Sequence, residues 1–277
     1  MVREVKAEDW LRKTDRDYER KVERWKRREK RSEDRTTVEG VLDLSTRRVI
    51  YGLLNRGFIK EFGGAISTGK ESTVFHAFAG PKIDGDELAI KVYRTSTLDF
   101  RRIQIYIYGD PRFSTKRRKS HKLMELWAEK EFKNLKRFQK AGVNVPRPFL
   151  VKRNVIVMQL IGEDGIGAPL LKDTEIEQPE DLESILPTLI DYITKAYTHG
   201  KLVHADLSAY NILYWNRRPW IIDVGQAVLL SHPMALQFLL RDIQNIVCLF
   251  ESPDKAKKAA DELFTKITGK TPPPQLT

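Results

Sequence analysis

The chain of 277 residues has a single cysteine, Cys248, which excludes an internal disulfide and a cysteine-rich zinc site. A chain without disulfides agrees with a reducing compartment. No apolar run approaches the roughly 20 residues of a membrane-spanning helix. The first residues are charged where a signal peptide would be apolar. The expectation is a soluble, intracellular protein, cytoplasmic and without a membrane partner. Internal repeats are absent, and the one low-complexity stretch is the proline-rich tail, 271–277. Acidic side chains are the scarcer charge, 38 against 49 Lys and Arg, and the net +11 points to an acidic partner, nucleic acid foremost. Charge alone names no particular RNA or DNA.

What is present is ordinary globular material. A hydrophobic content of 41% and this length suit one two-lobed domain with an extension rather than two independent domains. In residues 1–37, Leu11, Tyr18, Val22 and Trp25 share one helical face amid charges of both signs, which predicts a long helix with a narrow apolar stripe. It fits a solvated helix docked on the domain or an RNA-binding arm. In 38–60, Ser45 can cap an accessory helix that buries Val49, Ile50, Leu53 and Leu54, with Gly57 ending it.

The stretch FGGAISTGKESTVFHAF, from Phe62, nearly matches two phosphate-binding motifs. Gly64, Gly69 and Lys70 fit the P-loop spacing, but Glu71 stands where the metal-binding hydroxyl belongs, and Thr73, Val74 and Phe75 continue as a strand. Against a glycine-rich phosphate loop, only Gly69 survives of three glycines, with Ser67 and Ser72 at the other two positions. Amides and serine hydroxyls there can hold phosphate oxygens, and an ordinary turn fits equally. In the strand LAIKVY, Leu88, Ile90 and Val92 alternate with Ala89, Lys91 and Tyr93.

From His121 to Gly142 the spacing predicts a helix on which Met124, Trp127, Leu135 and Phe138 fall within about 40° of Glu131, while Glu129 faces the other way. A carboxylate inside an apolar stripe needs a cation to offset its desolvation, and Lys91 is the candidate. Glu129 belongs on the surface. Between strand and helix lies a long link, 95–119, with Arg101, Arg102, Arg112, Lys116, Arg117, Arg118 and Lys119 interleaved with Tyr106, Tyr108 and Phe113. Such a link suits RNA or is simply a flexible solvated loop. VIVMQLI, Val155 to Ile161, forms a buried strand before Gly162, and Leu182 to Ile193 begins a strong helix ending at Gly200.

LVHADLSAYNIL, Leu202 to Leu213, is followed by a hairpin over Ile212–Tyr214, a turn at 216–219, and Trp220–Ile222, then Asp223-Val-Gly. The pattern also fits buried strands with Asp and Asn as caps. The hairpin would return Asn211 and Asp223 to one end, and two carboxylates with an amide suit a hard, oxygen-seeking cation. Asp206, Asn211 and Asp223 in this order resemble the phosphoryl-transfer machinery of protein kinases. That resemblance implies that Asp206 orients and deprotonates the attacking hydroxyl, and that Asn211 and Asp223 hold magnesium on the phosphates of ATP. It implies that Ser67, Gly69, Lys70 and Ser72 cover those phosphates and that Lys91 pairs with them and with Glu131. Met158 would line the adenine pocket, with backbone groups near Gln159 and Ile161 on the base edge.

The details STGKES, GDPRF, EKEFKNL, GED, HADLSAYNIL and IDVGQAV resemble one family closely, the RIO atypical serine kinases, in particular the Rio-one branch, over roughly 38–250. Ala205 replaces the arginine that senses a phosphorylated activation loop in most kinases, and no A-P-E sequence follows Asp223. Ala209 stands where the family more usually has an acid. The expected fold is α+β: a two-lobed minimal kinase-like fold with an antiparallel N-lobe sheet and helix at 61–161, and a truncated helical C-lobe at 162–270. The cofactors implied are ATP and Mg2+, with Mn2+ able to substitute. Implied partners are the pre-ribosomal small subunit and ribosomal RNA, met through the basic loop and N-terminal helix, with a protein as a further substrate. A serine kinase, an ATPase switch in small-subunit maturation, a small-molecule phosphotransferase of the aminoglycoside-kinase type and an RNA-binding scaffold with residual ATP binding are the competing functions.

Overall fold

The computed structural model describes residues 42–94, 105–107, 110–113, 120–174 and 179–274. The expected N-terminal helix and most of the basic link lie outside these residues. The first described helix, α1 (Leu44–Asn55), is capped by Asp43 rather than Ser45: the Thr46 N–H donates to the Asp43 carboxylate at 2.7 Å, and the Ser45 hydroxyl donates to it as well. An anion is the better acceptor at the positive end of a helix. Gly57, at φ +74°, closes the other end, with Gly57 N–H to Leu54 O and Phe58 N–H to Leu53 O.

Five antiparallel strands follow in the order β1-β2-β3-β5-β4: β1 (Ile59–Thr68), β2 (Ser72–Ala79), β3 (Glu87–Tyr93), β4 (Pro148–Lys152) and β5 (Val155–Gln159). The central strands β3 and β5 are buried on both faces, and their period of two sorts side chains between two cores. Leu88, Ile90, Val92, Val155 and Val157 pack with Ile50 and Leu53 of α1. Ala89, Tyr93, Ile156 and Met158 face the other way, onto α2 (Ser120–Lys140). Met124, Trp127, Leu135 and Phe138 of α2 are buried there and Glu129 is exposed.

The second lobe begins with a short pair, β6 (Gly162–Glu163) and β7 (Ile166–Gly167), then α3 (Pro179–Lys195), which runs into a π turn at Ala196–Gly200. Next come β8 (Leu202–Val203), the hairpin β9 (Ile212–Trp215) and β10 (Arg218–Ile221), and β11 (Val228–Leu229), which pairs with β8. The hairpin turn is the two residues Asn216 and Arg217, both at positive φ, and Pro219 lies inside β10 opposite Tyr214. The turn is thus shorter than the expected 216–219, because a two-residue turn with both φ positive matches strand twist. Helices α4 (Ala235–Val247) and α5 (Pro253–Thr268) complete the lobe. Among the described residues no helix is long and apolar enough to cross a membrane.

Candidate active site

Lys91 stands on the face of β3 turned toward α2 and is almost wholly buried. Its Nζ donates to Glu131 Oε1 at 2.7 Å and to Asp223 Oδ1 at 2.9 Å. Burial works against the ammonium, yet Asp223 and Glu131 outweigh it and hold Lys91 above the ordinary lysine range. Burial raises the Glu131 carboxyl, with Lys91 opposing, and the Tyr93 hydroxyl donates to its other oxygen. Asp223 differs: its side chain is 56% exposed, and the Lys91 charge keeps it below the usual carboxylate range. One lysine therefore joins the sheet, α2 and the segment after β10.

Asp206 sits in a loop held from beneath by α4. The Asp242 carboxylate accepts the Ala205 N–H at 2.7 Å and the Leu207 N–H at 2.9 Å, Asn245 Nδ2 donates to Leu207 O, and Arg241 donates to Ala205 O. Ala205 is at φ +68°, a conformation costing an alanine roughly 1–2 kcal/mol unless the surroundings impose it. Burial pushes the Asp242 carboxyl up to about 7, against the two amides that favour its anion. Asp242→Ala would orphan both amides. Since bonds to charged groups contribute about 1.5–3 kcal/mol each, unfolding experiments should show roughly 3–6 kcal/mol of lost stability.

Gln226 Nε2 donates to Asp206 Oδ2 at 2.9 Å, fixing the carboxylate, and Asp206 N–H donates to His204 Nδ1. Burial lowers His204 to about 4, so it is a neutral bridge between that amide and Ile222 O. The hairpin does return its two ends to one place: the Ile222 N–H donates to Asn211 O at 3.0 Å. Asn211 Nδ2 donates to Asp206 O at 2.7 Å, which leaves its Oδ1 as the acceptor. Asn211 and Asp223 thus offer oxygen atoms only, the donor chemistry of Mg2+, which takes one or two carboxylates and completes its shell from phosphate and water. Among the described residues no three His, Cys, Asp or Glu side chains converge as a metal cage.

Val74, Lys91 and Ile156 lie directly opposite one another across β2, β3 and β5, and Ser67 is opposite Val74 on β1. β1 carries three register irregularities before its turn, where Gly69 N–H donates to Ser72 O and Ser67, Gly69 and Lys70 are exposed. Met158 is buried opposite Ala89, two residues from Lys91. Gln159 N–H is taken by Arg147 O, and Ile161 O accepts the Ala168 N–H.

The described part of the basic link is not open. Arg112 forms a bidentate pair with Asp110 and donates from Nη1 to Asn134 Oδ1, Phe113 is buried, and Tyr106 packs against Trp127 and Phe238. These three are occupied by the fold and are not presented to RNA. Arg101, Arg102, Tyr108, Lys116, Arg117, Arg118 and Lys119 lie outside the described residues. Sequence reasoning also missed Lys130, Asn134 and Asp242, buried polar residues that bond backbone groups.

A five-stranded antiparallel sheet and helix facing a helical lobe, with Lys91, Asp206, Asn211 and Asp223 gathered near the junction, define the protein-kinase-like class of fold. Residues 73–263 match the RIO domain family, and the chain belongs to that family. It is 37% identical over 268 residues to a RIO-type serine/threonine-protein kinase Rio1 of Haloferax volcanii, covering 97% of this chain and 88% of that one. It is 43% identical over 247 residues to the serine/threonine-protein kinase RIO1 of Caenorhabditis elegans, covering 88% of this chain and 48% of that one. The Dictyostelium discoideum relative is 40% identical over 241 residues, with 86% of this chain covered, and the chain spans 41% of its length. In structure it is similar to a Rio2 kinase from Chaetomium thermophilum solved as an ADP/Mg2+-phosphoaspartate complex, with TM-score 0.57 and 25% identity over 80% of this chain and 70% of that one.

Proposed function

We propose that the protein is an ATP- and magnesium-dependent phosphotransferase, an atypical serine kinase with ATPase activity, which acts in maturation of the small ribosomal subunit. The observation that carries this reading is the buried Lys91 bridging Glu131 and Asp223, beside a loop whose Asp206 is held between Gln226 and the Asn211 turn. Lys91 would bind the α- and β-phosphates, with Ser67, Gly69, Lys70 and Ser72 covering them. Met158, Gln159 and Ile161 would enclose the base. Asn211 Oδ1 and Asp223 would hold Mg2+, which supplies charge neutralisation on the phosphates when bound. Asp206 would orient and deprotonate the attacking hydroxyl or water.

The half-exposed Asp223 carboxylate supports a covalent route, since an ionised carboxylate can attack the γ-phosphorus, release ADP and become an acyl phosphate that water then hydrolyses. The Chaetomium relative with its phosphoaspartate favours the same route. The ribosomal role draws on the family and on the net charge of +11. It predicts that purified small-subunit precursor stimulates Mg2+-dependent ATP turnover and that binding to its RNA falls steeply with salt. Turnover indifferent to precursor, with salt-insensitive RNA binding, would remove that role.

A further inference from the structure

Asp223, placed above at the metal and the phosphoryl group, has left-handed backbone angles, φ 57° and ψ 50°, which a residue with a side chain keeps only when its surroundings hold it. The segment that follows is tied to α2 through its backbone carbonyls as well as by the burial of Val224 and Ala227 in the shared core. Lys130 Nζ donates to Gly225 O at 2.7 Å and to Ala227 O at 2.5 Å. Asn134 Nδ2 donates to Val224 O at 2.8 Å and to Ala227 O at 3.1 Å. Both side chains are fully buried, and Gly225 lies so close to Trp127 that a Cβ there would stand 3.1 Å from the indole nitrogen. Arg112 donates to Asn134 Oδ1 at 2.8 Å, which turns the amide so that its NH2 group faces the carbonyls.

We infer that Lys130 and Asn134 are positioning residues for Asp223, a polar clamp through which α2 sets the metal loop while its Glu131 sets Lys91. Resting on the functional reading above, this makes α2 the common support of both halves of the site. It uses the residue next to Glu131, about 100° around the helix, to reach across the lobe junction. A lysine fully withdrawn from water and bonded to carbonyls is costly, and burial, with Arg112 adding, pushes its ammonium down to about 7. An apolar side chain of that length would fill the same space but would take the donor away from Gly225 O and Ala227 O, so what the lysine adds over such a side chain is its hold on this segment.

The test uses the full chain with Lys130→Met, of similar length, and the exposed-site control Glu129→Gln. Hydrogen exchange followed by mass spectrometry should show the 222–228 segment exchanging about tenfold faster in Lys130→Met, with β1–β3 unchanged. Calorimetry should show Mg·ADP binding about tenfold weaker, as for groups that orient metal ligands, and ADP without metal bound as before. Asn134→Ala, which removes the second half of the clamp and leaves Lys130 and the Arg112–Asp110 pair in place, should move both readouts in the same direction by a smaller factor and covers the case in which Lys130→Met does not fold. Unchanged exchange at 222–228, or acceleration spread evenly over the chain, would overturn the clamp. So would wild-type and variant proteins binding Mg·ADP equally, with the functional reading intact. A wild type that binds no Mg·ADP would instead overturn that reading.

Discussion

Lys91→Ala should lower Mg·ATP turnover by about 10²–10³-fold, the loss typical when one preorganised charge at a phosphoryl or oxyanion site is removed. Its Nζ bonds both Glu131 and Asp223, so its loss separates the nucleotide-aligning pair from the metal loop. Stability should fall by less than the about 3–5 kcal/mol expected for breaking a buried ion pair. Glu131 can take up a proton, as burial already raises its pKa, and Asp223 is half exposed to water. The double variant Lys91→Met/Glu131→Gln separates the two effects: with both buried charges gone, stability should recover and turnover should not. Recovery of turnover with stability would show that Lys91 serves the fold alone.

Asp206→Asn should keep nucleotide affinity and lose about 10²–10⁴-fold in turnover, the range for a general base. Binding rests on the phosphate loop, Lys91 and the metal ligands, none of which needs the Asp206 charge. The amide still fits beside Gln226 and Asn211, so the loop held by Asp242 keeps its shape. The two steps of the covalent route also part company here. Attack by the Asp223 carboxylate needs no proton removed, whereas hydrolysis of the acyl phosphate needs a base for water. Asp206→Asn should therefore accumulate phosphoenzyme, and equilibrium nucleotide titration alongside rapid-quench kinetics would measure both claims.

Much of this arrangement was legible before any coordinates because its signals are periodic. Alternation in LAIKVY set Lys91 on the face opposite Leu88, Ile90 and Val92, and the helical stripe chose Glu131 over Glu129. The cap at Asp43 was misread as Ser45 because both types serve as caps and only the backbone geometry decides between them. Arg112 looked like one more cation in a basic link; Asp110 lies two residues away, but its other partner, Asn134, lies on α2, where no local pattern points. Lys130, Asn134 and Asp242 escaped for a different reason. Each bonds backbone groups far along the chain, and a carbonyl or amide has no letter in the sequence. For Asp242 a signal existed, since it lies on the same buried face of α4 as Leu239 and Ile246, and the stripe argument used for Glu131 would have found it.

The most direct measurement is acid-quenched phosphoenzyme after incubation with Mg2+ and γ-labelled ATP, divided between hydroxylamine and a neutral control. Phosphoryl transfer through Asp223 predicts label that hydroxylamine releases, mapped to Asp223, more abundant in Asp206→Asn than in the wild type and absent from Lys91→Ala. Label that resists hydroxylamine, with turnover only when a protein hydroxyl is supplied as acceptor, would contradict it.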